Sequence, residues 1–270
     1  MKKRISMTIS EEILEKLDSI VDGNIIRSRS EAIESITSQF LSTYRVAVFL
    51  GGGSPEKLRI GNTYRPLVNI KGQPLIVHNI KRLASAGFGK IYFVGMSEVV
   101  GECFKALGNG EKFGVEINYI EEAEALGNAK TLQHAEKHLR APFLVLPVDN
   151  YFTFDVNYLF EKHLANRALV TVATHATREE LTDLGVVEML GDRIVGYEEK
   201  PHKPRTFLTS VFIGMYDPKV FEYIPRGRVR WTLQTDLFPK LIKEGKLYGC
   251  MVSSPVFNIH SSEDLKKVKL

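Results

Sequence analysis

Short apolar runs alternate with helical patterns along the chain from residue 45 onward. The runs predict strands, and the stretches Leu75–Ala86 and Glu98–Leu107 carry apolar residues at helical spacing. Strands that alternate with helices are typical of a parallel sheet covered by helices. This part of the chain is therefore predicted to have an α/β fold with a mostly parallel, Rossmann-like sheet. The predicted strands are Val46–Leu50, Ile91–Val94, Ile117–Ile120, Phe143–Val148 and Leu169–Ala173.

The first 44 residues follow a different pattern. Residues 4–9 alternate polar and apolar, which predicts a strand with one apolar face. Ser10 is interpreted as the N-cap of a first helix and Ser30 as the start of a second, and each helix carries an apolar stripe. One strand and two helices cannot bury a sufficient core within about 44 residues. This unit is therefore expected to need a partner chain.

Charge and cysteine usage narrow the class of protein. The net charge of +4 permits anionic ligands but does not by itself indicate nucleic acid. Cys103 and Cys250 lie far apart and form no CxxC motif, so neither a disulfide framework nor a zinc site is indicated. No stretch approaches the roughly 18 apolar residues of a membrane span, and the N-terminus lacks an apolar signal core. We expect a cytoplasmic protein with no membrane partner.

A glycine-rich loop follows the first predicted strand of the larger region. Three consecutive glycines, Gly51–Gly53, allow backbone N–H groups to approach an anion without a Cβ in the way. Lys57, Arg59 and Arg65 follow closely enough to neutralise a phosphate. The acid Asp149 ends a later strand, and ligands of such sheets bind at the carboxyl ends of the strands. The loop and the carboxylate are therefore expected to share a cleft, where Asp149 would be a natural Mg²⁺ ligand.

Five segments, in this order, resemble the sugar-phosphate nucleotidyltransferases, also called nucleotide-sugar pyrophosphorylases. The segments are LGGGSPEKLR with RPLVNIKGQPLI, FGVEINYIEEAEALGNAKTL, VLPVDNYF, LGVVEMLGDRIVGYEEKP and FNIHSSEDLKKV. The resemblance covers nearly all of residues 45–269 and implies the reaction of that family. In that reaction a sugar 1-phosphate oxygen attacks the α-phosphorus of a nucleoside triphosphate, which releases pyrophosphate and leaves an NDP-sugar, with Mg²⁺ as cofactor. The expected ligands are thus a nucleoside triphosphate and a sugar 1-phosphate, or an NDP-sugar.

The resemblance also implies roles for individual residues. The expected nucleotide-binding residues are Leu50, Gly51, Gly52, Gly53, Glu122 and Gly127. The expected sugar-phosphate-binding residues are Gly185, Glu199, Lys200 and Ser210. The expected catalytic residues are Lys57, Arg65 and Asp149, and the expected metal ligands are Asp149 and Asn258.

The glycine loop departs from the family pattern GGxGTRL. The loop is one residue longer, Lys57 replaces the family's arginine, and Arg65 replaces the lysine of its KP motif. Positive charge is kept at both positions with a different shape, whereas Glu56 would repel a polyphosphate unless it turned outward. The altered loop therefore leaves two alternatives, a protein that catalyses the transfer and one that only binds the ligands. The retained charges favour an active transferase, and the altered ones favour a sensor of nucleotides or nucleotide sugars that has lost turnover.

Glu122 stands where many relatives have a glutamine that contacts a pyrimidine base. A carboxylate can only accept hydrogen bonds, so it would suit the adjacent N–H donors of guanine. This motivates the hypothesis that the protein prefers a guanine nucleotide. The alternative is that the Glu122 side chain points to solvent.

Two segments of the N-terminal unit, KKRISMTISEEILEKLDSIV and SRSEAIESITSQFL, resemble the ribbon-helix-helix family of dimeric DNA-binding proteins. The resemblance implies a homodimer whose paired strands enter the major groove of double-stranded DNA. Residues 1–44 hold six basic and seven acidic side chains, so dimerisation without DNA binding is the alternative. The expected DNA-binding residues are Arg4, Ser6, Thr8, Arg29 and Ser30.

Two domains are predicted from these patterns, a ribbon-helix-helix domain at residues 1–44 and a nucleotidyltransferase domain at residues 45–270. Three functions fit this arrangement. The first is an active transferase that binds DNA and regulates expression. The second is a transcriptional regulator whose transferase domain only senses its ligand. The third is an ordinary enzyme that dimerises through its N-terminal domain.

Overall fold

A computed structural model describes residues 5–43, 45–177, 184–254 and 256–268. The chain divides into two compact units, residues 1–44 and 45–270. The helices are α1 (Glu11–Ile20), α2 (Arg29–Thr43), α3 (Leu75–Ser85), α4 (Ser97–Leu107), α5 (Asn128–Gln133), α6 (Val156–Asn166), α7 (Phe238–Lys243) and α8 (Ser262–Lys267). The strands are β1 (Val46–Gly51), β2 (Arg59–Ile60), β3 (Thr63–Tyr64), β4 (Asn69–Ile70), β5 (Gln73–Pro74), β6 (Lys90–Met96), β7 (Glu116–Glu122), β8 (Phe143–Pro147), β9 (Asn150–Phe152), β10 (Val170–Ala176), β11 (Gly185–Leu190), β12 (Arg193–Glu199), β13 (Leu208–Tyr216), β14 (Leu247–Met251) and β15 (Val256–Asn258).

The described part of the N-terminal unit consists of two helices. α2 begins at Arg29, one residue before the predicted start, because the hydroxyl of Ser28 accepts a hydrogen bond from the Glu31 N–H at 3.2 Å and caps the helix. Residues 5–10 form no strand in this single chain. The predicted strand would pair with the same strand of a second copy, so one chain alone cannot form that ribbon.

The larger unit is built on one nine-stranded sheet with the order β10–β14–β12–β11–β13–β8–β1–β6–β7. Strands β8, β1, β6 and β7 are parallel, as predicted. Strand β13 runs antiparallel to β8, and β11 pairs antiparallel with β12. The α/β class is confirmed, but the sheet is mixed rather than mostly parallel. Only Gly191 and Asp192 connect β11 to β12, and a two-residue turn can join only antiparallel strands.

Both faces of the sheet are buried, which explains the nearly continuous apolar strands. Along β1, Ala47 and Phe49 pack into one core cluster, and Val48 and Leu50 pack into a second cluster. Helices α3, α4 and α6 contribute to the first cluster, and α5 and α7 contribute to the second. Among the described helices, none has the length and apolar character needed to span a membrane. The buried strands hold their carboxyl ends in fixed positions, and these ends carry the candidate site.

Candidate active site

A cleft of about 390 Å³ lies at the carboxyl ends of β1 and β8 and extends to β11, β12 and β13. Three of the predicted site residues, Gly51, Glu122 and Gly127, are not part of its lining. The predicted site residues that line it are Leu50, Gly52, Gly53, Lys57, Arg65, Asp149, Gly185, Glu199, Lys200, Ser210 and Asn258. Residues that are far apart in the sequence are thus brought together around one cavity.

The glycine loop is held by a buried carboxylate. The Gly53 N–H donates to Glu122 Oε1 at 3.2 Å, and the Thr131 hydroxyl donates to Glu122 Oε2 at 2.7 Å. A Cβ at Gly52 would lie 2.2 Å from Thr131 Oγ1 and 2.6 Å from Glu122 Oε1, so only glycine fits at this position. The packing around Gly52, rather than ligand binding alone, thus explains the glycine in this part of the loop.

Glu122 differs from both of its predicted environments. It is only 3% exposed, so it does not point to solvent. Both of its oxygens bind protein groups, so the guanine preference cannot be argued from a free carboxylate. Gly127 has φ +100°, and a Cβ there would lie 2.4 Å from the Trp231 carbonyl oxygen. Both residues therefore belong to the packed structure next to the cleft and do not line the cleft itself.

The cations predicted for the triphosphate lie in the cleft. Lys57 belongs to a short 3₁₀ turn, Pro55–Leu58, and lines the cavity. Glu56 is exposed and does not line it, and its carboxylate accepts a hydrogen bond from the Ser54 hydroxyl at 2.6 Å. The acid that would repel a polyphosphate is therefore exposed and outside the lining, bound to Ser54 at the edge of the cavity.

Asp149 forms the most buried charged centre of the cleft. Arg65 Nη1 lies 2.9 Å from Asp149 Oδ2, and His260 Nε2 lies 3.4 Å from the same oxygen. Burial alone would raise the pKa of Asp149, but hydrogen bonds and charge from His260 and Arg65 lower the pKa below its ordinary value. The Asp149 carboxylate is therefore ionised. Arg65 Nε is buried and has no hydrogen-bond partner within the described residues, so its N–H is one of the donors that a ligand oxygen would satisfy.

The donor chemistry beside Asp149 fits a Mg²⁺ ion. Asn258 on β15 pairs with Asn150 on β9, which brings an amide into the cleft that Asp149 lines. Mg²⁺ usually takes one or two protein oxygens and completes its shell with phosphate and water. Over the described ranges, no group of three acidic, histidine or cysteine side chains is arranged to hold a metal. A carboxylate and an amide are nevertheless sufficient for a metal that also binds substrate phosphates.

Three of the predicted sugar-phosphate residues lie in one row across three strands, and Lys200 directly follows β12 and lines the same cleft. Gly185 on β11 pairs with Glu199 on β12 and with Ser210 on β13. A Cβ at Gly185 would lie 2.2 Å from the Tyr197 hydroxyl oxygen, and that hydroxyl donates to the Glu199 carboxylate. Ser210 Oγ is buried and has no hydrogen-bond partner among the described residues. An unsatisfied hydroxyl in a cleft is the kind of group that a bound ligand would satisfy.

Sequence reasoning missed several residues of this site. Phe212 lines the cleft with φ +57°, a left-handed conformation that is unusual for a bulky residue. Strand β13 bulges here, because three residues, 211–213, lie opposite the single residue Ala173 of β10. The Asn150 side chain holds the bulge by donating to the Val211 carbonyl at 2.9 Å. No local pattern marks a phenylalanine at such a position, although Asn150 and His260 stood inside the matched segments.

A comparison of the whole sequence with protein families decides the classification. The profile of the nucleotidyl transferase family matches residues 46–256, which is more than half of the chain. This chain belongs to the nucleotidyl transferase family. The match leaves the N-terminal unit outside the family region.

Curated relatives of this nucleotidyl transferase act on sugar phosphates, according to their names. This chain is 29% identical over 191 residues to a glucose-1-phosphate thymidylyltransferase of Streptomyces antibioticus, and the match covers 68% of this chain and 53% of that protein. It is 27% identical over 237 residues to a mannose-1-phosphate guanylyltransferase of Mycobacterium tuberculosis, covering 83% and 64%. The chain thus spans about half to two thirds of the length of these relatives. They differ in base, so relationship alone does not assign one.

The fold of this nucleotidyl transferase is also similar to solved structures. A Bacillus anthracis protein crystallised with sucrose superposes with a TM-score of 0.75 at 24% identity, covering 83% of this chain and 93% of the other. HddC from Yersinia pseudotuberculosis superposes with a TM-score of 0.68 at 18% identity, covering 84% and 98%. At these identities the similarity establishes the fold.

The predicted DNA-binding residues lie in the N-terminal unit of this nucleotidyl transferase. Arg4 lies outside the described residues, and Ser6 and Thr8 are exposed. Arg29 forms a two-pronged ion pair with Asp18, with hydrogen bonds of 2.5 and 2.7 Å, so its guanidinium already has a carboxylate partner. The remaining residue, Ser30, lies in the first turn of α2.

Proposed function

We propose that residues 45–270 transfer a nucleoside monophosphate from a nucleoside triphosphate to a sugar 1-phosphate. The observation that carries this proposal is one cleft that contains the glycine loop, two cations, an ionised carboxylate and the row of sugar-side residues. In the reaction a sugar 1-phosphate oxygen forms a bond to the α-phosphorus, the bond from the α-phosphorus to the bridging oxygen breaks, and pyrophosphate leaves. The names of the curated relatives support the same substrate classes.

The residues around the triphosphate act chiefly by positioning it and neutralising its charge. Because the Gly53 N–H already donates to Glu122, the N–H groups of Gly52 and of the loop after Gly53 would bind phosphate oxygens. Lys57 and Arg65 would balance the charge of the phosphates. Asp149 and Asn258 would hold Mg²⁺, which draws charge from the phosphate oxygens when bound. Because Arg65 and His260 already contact Asp149, they would share that carboxylate with the metal.

The sugar side of the cleft would orient the nucleophile. Glu199 would accept hydrogen bonds from sugar hydroxyls, and Tyr197 fixes the carboxylate by donating to it. Lys200 would pair with the sugar phosphate. The buried Ser210 hydroxyl, which has no partner within the described residues, would gain one from the ligand.

A pyrophosphate-release assay tests this proposal. Each common nucleoside triphosphate is combined with a panel of sugar 1-phosphates and Mg²⁺, and we expect release with at least one pair. Asp149→Asn should lower the rate by about 100-fold or more, as expected for the loss of a central electrostatic group. Asp192→Asn is the matched control, because that carboxylate pairs with Lys162 outside the cleft. If no pair gives release although nucleotide binds, the second function, a ligand sensor that regulates transcription, replaces the first.

We further propose that the N-terminal unit forms a ribbon-helix-helix homodimer that binds double-stranded DNA. Among its described residues only Leu17 and Ala32 are buried, whereas several large apolar side chains are exposed. A second copy would cover such side chains. The exposed apolar residues are Ile5 at 75%, Met7 at 56%, Ile13 at 52%, Ile20 at 37%, Ile25 at 84% and Ile36 at 46%.

Light scattering and gel shifts test this second proposal. The full chain is expected to be a dimer, and Met7→Lys, which places a charge on the apolar face of the predicted ribbon, is expected to shift it toward the monomer. Arg4→Ala should weaken binding to the protein's own upstream DNA at low salt, whereas Lys16→Ala, at an exposed ion pair on α1, should not. A dimer that binds no DNA would support dimerisation as the role of this unit, and a stable monomer would exclude the ribbon.

A further inference from the structure

A second cavity, of about 420 Å³, lies beside α5 and does not share its lining with the cleft. Residues of the segment 123–126 form one of its walls. That segment joins Glu122, which holds the glycine loop, to Gly127 and Asn128, and Asn128 lines the cleft. The two cavities are thus neighbours along the chain but contain different side chains.

Lys130 is the unusual residue of this second cavity. It is 7% exposed, and its ammonium group donates to the Gln133 side-chain oxygen at 2.5 Å and to the Pro225 carbonyl at 2.7 Å. Both acceptors are neutral, and no carboxylate pairs with Lys130 within the described residues. Buried charges are normally paired, and an ammonium has three N–H donors, so one donor and most of the charge remain for another partner.

Two arginines add positive charge at the same cavity. Arg226 forms a bidentate ion pair with Glu136, and Arg228 forms one with Glu124. The arginine side chains are 73% and 81% exposed, so water screens both pairs and an incoming anion can compete for them. Three cations, Lys130 and the two arginines, therefore face two carboxylates, and the charge of Lys130 is left without a carboxylate partner within the described residues. Burial and the charge of Arg226 lower the pKa of Lys130, which an anion placed between them would relieve.

We propose that this cavity is a binding site for a small phosphorylated molecule, held by its phosphate group and separate from the catalytic cleft. Phosphate oxygens would accept the remaining Lys130 N–H and the guanidinium N–H groups of Arg226 and Arg228. The rest of the ligand would pack on Leu126 and Ala123. The cavity volume lies in the range of roughly 300–1,000 Å³ that is typical of small-molecule sites.

Inorganic phosphate is the probe for this site. Thermal unfolding of the full chain is followed while sodium phosphate or sodium chloride is added at equal ionic strength. We expect phosphate to raise the Tm beyond the chloride effect in the wild type. Lys130→Met keeps the unbranched apolar stem of the side chain but removes the ammonium group. The apparent Kd for phosphate should then rise about tenfold or more, the size of one lost charge-assisted hydrogen bond.

Three further variants separate this site from the cleft and from general charge effects. Lys105→Met removes an exposed ion-paired lysine and should keep the phosphate response. Arg65→Met removes a cleft cation and should also keep a response that Lys130→Met loses. Arg226→Gln gives a second measurement at the new site and should weaken phosphate binding as well. The proposal is overturned if phosphate has no effect beyond chloride, if Lys130→Met and Arg226→Gln respond like the wild type, or if only Arg65→Met loses the response.

Discussion

Replacement of Phe212 is expected to reverse the usual stability order of glycine and alanine in a strand. Phe212 has φ +57°, which costs an L-residue about 1–2 kcal/mol and costs glycine almost nothing. Both replacements remove the same half-buried ring, so the lost packing cancels when they are compared with each other. The greater chain entropy that glycine loses on folding offsets about 0.5–1 kcal/mol of its advantage. Phe212→Gly should therefore be more stable than Phe212→Ala by about 0.5–1 kcal/mol.

Urea unfolding of both variants measures this difference in the free energy of unfolding. Leu208 lies on the same strand, is half-buried and has no positive φ, so Leu208→Gly should be less stable than Leu208→Ala. Lys71 has φ +50° outside the cleft, so its glycine variant should again be the more stable one. The reasoning about strain at position 212 is refuted if Phe212→Ala equals or exceeds Phe212→Gly while both control positions behave as stated.

Two other predictions concern the glycine loop and a buried histidine. Gly52→Ala should lower the free energy of unfolding by about 1–3 kcal/mol, because its Cβ would lie 2.2 Å from Thr131 Oγ1. Gly101→Ala, in open space on α4, should raise the free energy of unfolding. Equal effects of the two substitutions in urea unfolding would contradict this. Burial lowers the pKa of His163 to about 4 from 6.5. The folded state thus resists protonation, so stability should be fully present above pH 6.5 and fall by about 3 kcal/mol as the pH drops to 4. In His163→Gln that pH dependence should shrink, and an unchanged slope would show that other groups cause it.

The sequence was most informative where a general rule of sheet geometry applied. The carboxyl ends of parallel strands face one edge, and Gly52, Gly53 and Asp149 do line one cleft. The hairpin of β11 and β12 was missed, although Gly191-Asp192 between two apolar runs is a typical two-residue turn.

Other features could not be read from the sequence, because they depend on contacts between distant residues. The burial of Glu122 follows from its position between the Gly53 N–H and Thr131, which no periodicity reveals. The ion pair of Arg65 with Asp149 joins a residue predicted to act on the phosphates to one predicted to hold Mg²⁺, and neither prediction included the other as a partner. The strained Phe212 depends on a bulge, and bulges arise from the register of paired strands.

Asn150 gives the cleft a property that matters for any attempt to redesign it. Its backbone carbonyl accepts a hydrogen bond from Asn79 at 2.7 Å, and its side chain donates to the Val211 carbonyl at 2.9 Å. It is also the immediate neighbour of Asp149. Asn150 therefore links the Asp149 side of the cleft to strand β13. Under the proposed function, exchanging β13 for a relative's strand should change the transfer rate as well as the choice of sugar. Laboratory evolution toward another sugar 1-phosphate would therefore have to change residues of β13 and residues next to Asp149 together.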